Sequence, residues 1–243
     1  MEVPKKFSTK LQSLHRIQEG VSFGDGEEYN PGSYQRYASI FTKQYKRQRY
    51  PEHDLLMSGA GNNDNAANQS QTASGEETQE CKAAAAMSEG DRRRFIPPNL
   101  EQDYWDVVEN RTREVNVEYG NDVDTTDFGS GFPLSERGRS LHGKVDLDKV
   151  DQPEPEFGTR EFYKETWWNL NNIPNTPDSV LRHVKVGING INVPWMYYGS
   201  LFTTFCWHNE DNYLYSINYH HKGAPKQWYG VPGTQKDADG LEK

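Results

Sequence analysis

The stretch Phe205-Cys206-Trp207-His208-Asn209-Glu210-Asp211, continued by Leu214-Tyr215-Ser216-Ile217-Asn218-Tyr219 and Lys226-Gln227-Trp228-Tyr229-Gly230-Val231-Pro232-Gly233, decides how this chain is read. Its aromatic and β-branched residues predict strands, on which residues i and i+2 face the same way. His208 and Glu210 then reach one ion, whereas on a helix they would diverge by roughly 200°. A His and a carboxylate so placed are two members of the two-His-one-carboxylate triad that holds non-haem Fe(II). The plain alternative is a half-buried hydrogen-bonded pair on a barrel strand that carries no metal. The triad needs a second His from elsewhere.

Outward from that stretch, composition bounds the rest. The chain has 243 residues, of which 33% are hydrophobic, so one large or two small domains fit and part of the length is expected to be unstructured. No apolar run approaches the roughly 18 residues of a membrane span, and Met1-Glu2-Val3-Pro4-Lys5-Lys6 lacks an apolar secretory core. A soluble intracellular chain is expected. Two cysteines, Cys81 and Cys206, allow neither a disulfide framework nor a zinc module, and Cys206 is expected to be a small buried hydrophobe. The net charge of -9 is uneven: nine Lys/Arg against five Asp/Glu over 1–50, one against eight over 51–91, seventeen against twenty-three over 92–243.

Tyr34, Tyr37, Ala38, Phe41 and Tyr45 fall at helical spacing and predict an amphipathic helix over 33–48 with one aromatic face to bury. Its end, Lys43-Gln44-Tyr45-Lys46-Arg47-Gln48-Arg49, reads as a nucleic-acid or nuclear-import patch, or as a solvated helix end with cations near the C-terminal dipole; direct DNA binding stays open. Residues 58–90 hold almost no large apolar side chain and cannot offset the entropy of ordering. The expected organisation is a helical N-terminal segment (1–50), a disordered low-complexity insert (51–91) and a mainly β domain (92–243). Within the last, Leu100–Val108 predicts a short helix and Val115–Tyr119 a half-buried strand, and turn signals then recur between short strands, as in a barrel or jelly roll.

Glu118-Tyr119-Gly120-x-Asp122, Phe128-Gly129-Ser130-Gly131-Phe132-Pro133, Trp168-Asn169-Leu170-Asn171-Asn172-Ile173-Pro174, Val193-Pro194-Trp195-x-Tyr197 and the stretch Phe205 to Gly233 stand in order along the chain. Together they resemble the JmjC histone lysine demethylases, and among them the subfamily acting on lysine 4 of histone H3. Val21-Ser22-Phe23-Gly24 and the Tyr34–Tyr45 helix resemble the segment preceding the catalytic domain there. The resemblance implies a double-stranded β-helix (jelly roll, cupin-like) with flanking helices, and oxidative demethylation of methylated lysine using Fe(II), 2-oxoglutarate and O2. It also implies a histone H3 tail and chromatin as partners, and the nucleus as location. An acidic catalytic surface would suit that basic tail.

Carried over residue by residue, the resemblance gives His208 and Glu210 to the metal. It gives Lys226, Tyr119, Ser216, Asn218 and Phe205 to 2-oxoglutarate, and Asp122, Trp195 and Tyr197 to the surroundings of the substrate methylammonium. The family's second metal-binding His is expected roughly 80 to 90 residues beyond the first. The chain has no His after His221, so the domain is expected to be truncated on its C-terminal side and these residues alone to be inactive. Two other readings are a non-catalytic JmjC-like chromatin scaffold and a JmjC protein hydroxylase.

Overall fold

The computed structural model describes residues 3–19, 23–51, 99–126, 129–134, 155–234 and 240. Most of the expected insert, from 52 onward, lies outside the described residues. Two compact units emerge, Met1–Phe205 and Cys206–Lys243.

The first unit is built on a four-stranded antiparallel sheet: β1 (Phe7–Ser13), β2 (Phe23–Tyr29), β3 (Asn116–Val123) and β4 (Met196–Tyr198), in the order β2-β1-β3-β4. Between β2 and β3 come helices α1 (Pro31–Arg49) and α2 (Leu100–Asn110), and α3 (Arg160–Glu165) follows β3. Mainly β with flanking helices is the architecture found. Residues 1–50 were expected to be helical, yet they also supply two strands. Neither is written as a strong strand: Phe23-Gly-Asp-Gly-Glu-Glu-Tyr29 is rich in residues that strands disfavour, and it is held by pairing with β1.

Helix α1 starts with a capping box, Asn30 accepting from the Ser33 N–H while Ser33 Oγ accepts from the Asn30 N–H, with Pro31 in the first turn. Its aromatic row is buried as expected. Tyr34 packs with Phe7 and Val123 over one end of the sheet, and Tyr45 packs with Leu14, Val107, Val115, Val117 and Phe202 at the other. At the far end of α1, the buried carboxylate of Asp103 in α2 accepts from Arg49 Nε at 2.9 Å and from the Tyr50 hydroxyl at 2.6 Å. The two chain ends that flank the expected insert are thereby tied together.

Two loops stand where the ordered motifs predicted turns. Asn169 Nδ2 donates to the Pro133 carbonyl at 2.8 Å and to the Tyr163 carbonyl at 2.9 Å, and Ser130 Oγ donates to Asn171 Oδ1 at 3.1 Å. Buried amides thus stitch Gly129–Pro133 to Trp168–Pro174. Gly129 and Gly131 take φ of 85° and 82°, a region that a side chain would strain.

The second unit differs from expectation. Phe205–Asp211 and Leu214–Tyr219 join no strand ladder among the described residues, and a short 3-10 turn at Asp211–Tyr213, with left-handed Asn212, separates them. Trp207, Tyr213, Tyr215, Ile217, Tyr219 and Trp228 are exposed, and so is Cys206. Side-chain type favoured strands here, but a strand exists only with a partner to pair it.

Candidate functional site

Within the first unit, β3 and β4 bring Tyr119, Asp122 and Tyr197 together. Tyr119 is buried, its ring stacked with that of Tyr197 at a centroid distance of 6.3 Å, and the Tyr197 hydroxyl donates to Asp122 Oδ1 at 2.9 Å. Burial, and then the Asp122 charge, pushes the Tyr119 phenol well above the ordinary tyrosine range, so it stays a neutral donor. Asp122 sits at a break in the β3–β4 register between Gly120 and Val123, with φ of 50°. A bulge re-aims the side chain it carries, and left-handed backbone at a non-glycine marks a position held by its surroundings. Here Asn121 Nδ2 donates to the other carboxylate oxygen at 2.8 Å. A carboxylate and aromatic ring faces are both groups that attract a cation.

Trp195 leads into β4 and stands against Gly190, where an added Cβ would collide with the indole Nε1. It packs on a loop rather than joining the Tyr119 cluster. That loop is closed by buried Asn192, which accepts from the Ile188 N–H at 2.7 Å. Phe205, half-buried, ends the first unit.

Within the second unit, His208 Nε2 lies 3.7 Å from Glu210 Oε1. The two side chains approach one another although no ladder holds them. His208 Nδ1 lies 2.7 Å from the Cys206 carbonyl. A carbonyl only accepts, so Nδ1 is the donor in this contact and Nε2 is the nitrogen that would face a metal. Ser216 Oγ donates to Glu210 Oε1 at 2.8 Å, orienting the carboxylate. Imidazole and carboxylate presented this way fit Fe(II). No group of three His, Cys, Asp or Glu positioned to hold a metal occurs among the described residues.

Lys226 and Asn218 form a separate pair in the same unit, with Nζ 3.5 Å from Oδ1, in an open cleft of about 350 Å³ that Trp228, Pro225, Gly223 and His220 complete. Half-burial pulls the Lys226 ammonium below the usual lysine range. It also places that cation 5.9 Å from the centroid of the Trp228 ring. A single ammonium with an amide beside it suits one carboxylate group. Ser216, expected at the co-substrate, is found on Glu210. His220 also lines the cleft.

Other site residues escaped the sequence reading. Tyr34 donates its hydroxyl to the Glu118 carbonyl at 2.5 Å, and the Glu118 N–H donates to the Tyr37 hydroxyl at 2.8 Å, so α1 grips the peptide next to Tyr119. Nothing in their spacing separated that role from core packing.

Comparison with known proteins agrees with these motifs. Residues 195–239 match a family model described as "JmjC domain, hydroxylase". The chain is 35% identical over 229 residues, 94% of its length, to lysine-specific demethylase JMJ703 of Oryza sativa subsp. japonica, of which it spans 14%. It is 43% identical over 145 residues (60% of its length) to putative lysine-specific demethylase JMJ16, and 43% over 139 (57%) to lysine-specific demethylase JMJ17, both of Arabidopsis thaliana. It spans 11% and 10% of these two.

Proposed function

We propose, from the premise that residues 195–239 belong to a JmjC domain, that the protein carrying them is an Fe(II)- and 2-oxoglutarate-dependent lysine demethylase acting on histone H3, at lysine 4. The observation that carries this reading is the His208–Glu210 pair. Nδ1 of its imidazole lies against the Cys206 carbonyl, its Nε2 faces the carboxylate, and that carboxylate is oriented by Ser216. His208 and Glu210 would hold the metal, which, with 2-oxoglutarate and O2, supplies the oxidising power to hydroxylate an N-methyl group; the product loses formaldehyde to leave the amine.

The chain's own residues do the rest. Lys226 neutralises one carboxylate of the co-substrate, with Asn218 adding a neutral hydrogen bond and Trp228 drying one wall. Tyr119 offers a phenol that remains protonated, and Asp122 with Tyr197 holds the methylammonium by charge and ring face. A chromatin substrate puts the protein in the nucleus. No helix among the described residues is long and apolar enough to cross a membrane.

The test is turnover of 2-oxoglutarate, read as succinate and formaldehyde, by the full-length protein on H3 peptide methylated at lysine 4. His208→Ala is expected to cut it to below about one hundredth, since loss of groups that merely support a ligand already costs 10- to 100-fold. Unchanged turnover in that variant would overturn the metal assignment. Turnover only on peptides methylated at another lysine would move the target. A polypeptide of residues 1–243 alone, with two of the three expected metal ligands, is predicted to show none.

A further inference from the structure

We propose that the outward face of α1 docks on the phosphate backbone of a nucleic-acid duplex. The helix carries Arg36, Lys43, Lys46, Arg47 and Arg49 and no acidic residue, in a chain of net charge -9. Packing fixes which face is outward: Tyr34, Tyr37, Ala38, Phe41 and Tyr45 are turned to the sheet and its core. Opposite them Arg36, Ile40, Lys43 and Arg47 follow one another at i, i+4, i+7 and i+11, all exposed, with exposed Gln35, Gln44 and Gln48 alongside. Arg49 lies on the other side of the helix, where its guanidinium pairs with Asp103.

Cations in the last turn have an ordinary explanation, the negative end of the helix dipole. That accounts for Lys46 and Arg47. Arg36 and Lys43 lie outside the last turn and are not explained by it. At about 1.5 Å per residue the row from Arg36 to Arg47 runs roughly 16 Å, a length over which each of its three cations can meet a phosphate of a duplex. Arginine, lysine and glutamine are the side chains that contact phosphate oxygens. A lipid surface would require an apolar face to insert beside the cations, and the apolar face of α1 is already packed against the sheet. A peptide partner would require apolar anchors, and Ile40 is the one large apolar side chain in the row. A repeating anion suits this surface better than either.

The experiment titrates the 243-residue chain against a labelled 20-base-pair duplex by fluorescence anisotropy, at salt concentrations from 50 to 200 mM. The slope of log K against log salt is expected near -2.7, about -0.9 for each of three phosphate contacts. Arg36→Gln/Lys43→Gln/Arg47→Gln is expected to remove most of that slope and at least tenfold of the affinity at 50 mM salt, with circular dichroism unchanged. Lys43→Gln alone is expected to reduce the slope by about one. Lys5→Gln/Lys185→Gln/Lys222→Gln, which removes the same charge elsewhere, is expected to leave most of the binding. Equal loss in that control would overturn the proposal, as would no salt-dependent binding, or tighter binding to anionic lipid vesicles or polyglutamate than to the duplex. None of these outcomes depends on catalysis, so failure here and failure of the demethylase reading are separable.

Discussion

Gly120 shows what one residue contributes to the packing beside Tyr119 and Asp122. It follows Tyr119 in β3 and precedes the bulge that presents Asp122, and a Cβ built on it would lie 2.8 Å from Phe7 Cε2 and 2.9 Å from Tyr198 Cβ. Phe7 and Tyr198 are themselves stacked at 4.1 Å, so neither ring can withdraw without opening the core. Gly120→Ala is therefore predicted to cost about 1–3 kcal/mol through overpacking, read as a lowered urea midpoint with unchanged slope. A neutral result would mean that the β3–β4 crossing yields more easily than its contacts suggest. Legibility at this scale was uneven. The ordered motifs gave Asp122 and Tyr197 to the substrate and Tyr119 to 2-oxoglutarate; in the structure the Tyr119 ring stacks on Tyr197, whose hydroxyl donates to Asp122. Ser216 was given to 2-oxoglutarate by the same motifs, and its hydroxyl donates to Glu210, a contact that motif order alone does not indicate.

Among the elements, α1 matters most to the site, since two of its tyrosines hold the peptide of Glu118 on β3. The two bonds differ in weight. Tyr37 accepts from the Glu118 N–H, so Tyr37→Phe leaves a part-buried donor unpaired and is predicted to destabilise by about 1–3 kcal/mol. Tyr34 donates to the carbonyl, which has a second lone pair, so Tyr34→Phe is predicted to cost nearer 1 kcal/mol. Urea unfolding of the two single variants checks the order, and a larger loss for Tyr34→Phe would refute this account of the grip. Element type was readable wherever period and burial agreed. The aromatic row of α1 emerged as expected, the helix expected over Leu100–Val108 runs to Asn110 as α2, and the strand expected over Val115–Tyr119 is β3 at Asn116–Val123. β2 did not, because its glycines and acids have weak strand preference and its exposure leaves no hydrophobic pattern to read.

For the molecule as a whole, the packed part rests on tyrosines to an unusual degree. Tyr34, Tyr45 and Tyr119 are all buried, from both ends of the sheet to the candidate site, and each phenol is pushed up by burial before any other cause. Tyr45, which also faces the Asp103 charge, reaches about 12. In the unfolded chain these phenols lose their protons near pH 10. Above that pH the unfolded state binds fewer protons than the folded state, and stability falls as pH rises. The contribution is fully present below about pH 10 and is lost progressively as pH climbs towards the folded values, Tyr45 leading at about 12. Alkaline titration of the 243-residue chain is thus expected to give a cooperative loss of near-ultraviolet dichroism above pH 10, with a step of phenolate absorbance at 295 nm in the same transition. Phenolate absorbance that rose smoothly and was complete before the dichroism changed would show that these rings titrate in the folded state. It would remove the tyrosine core as the element that joins α1, the sheet and the candidate site.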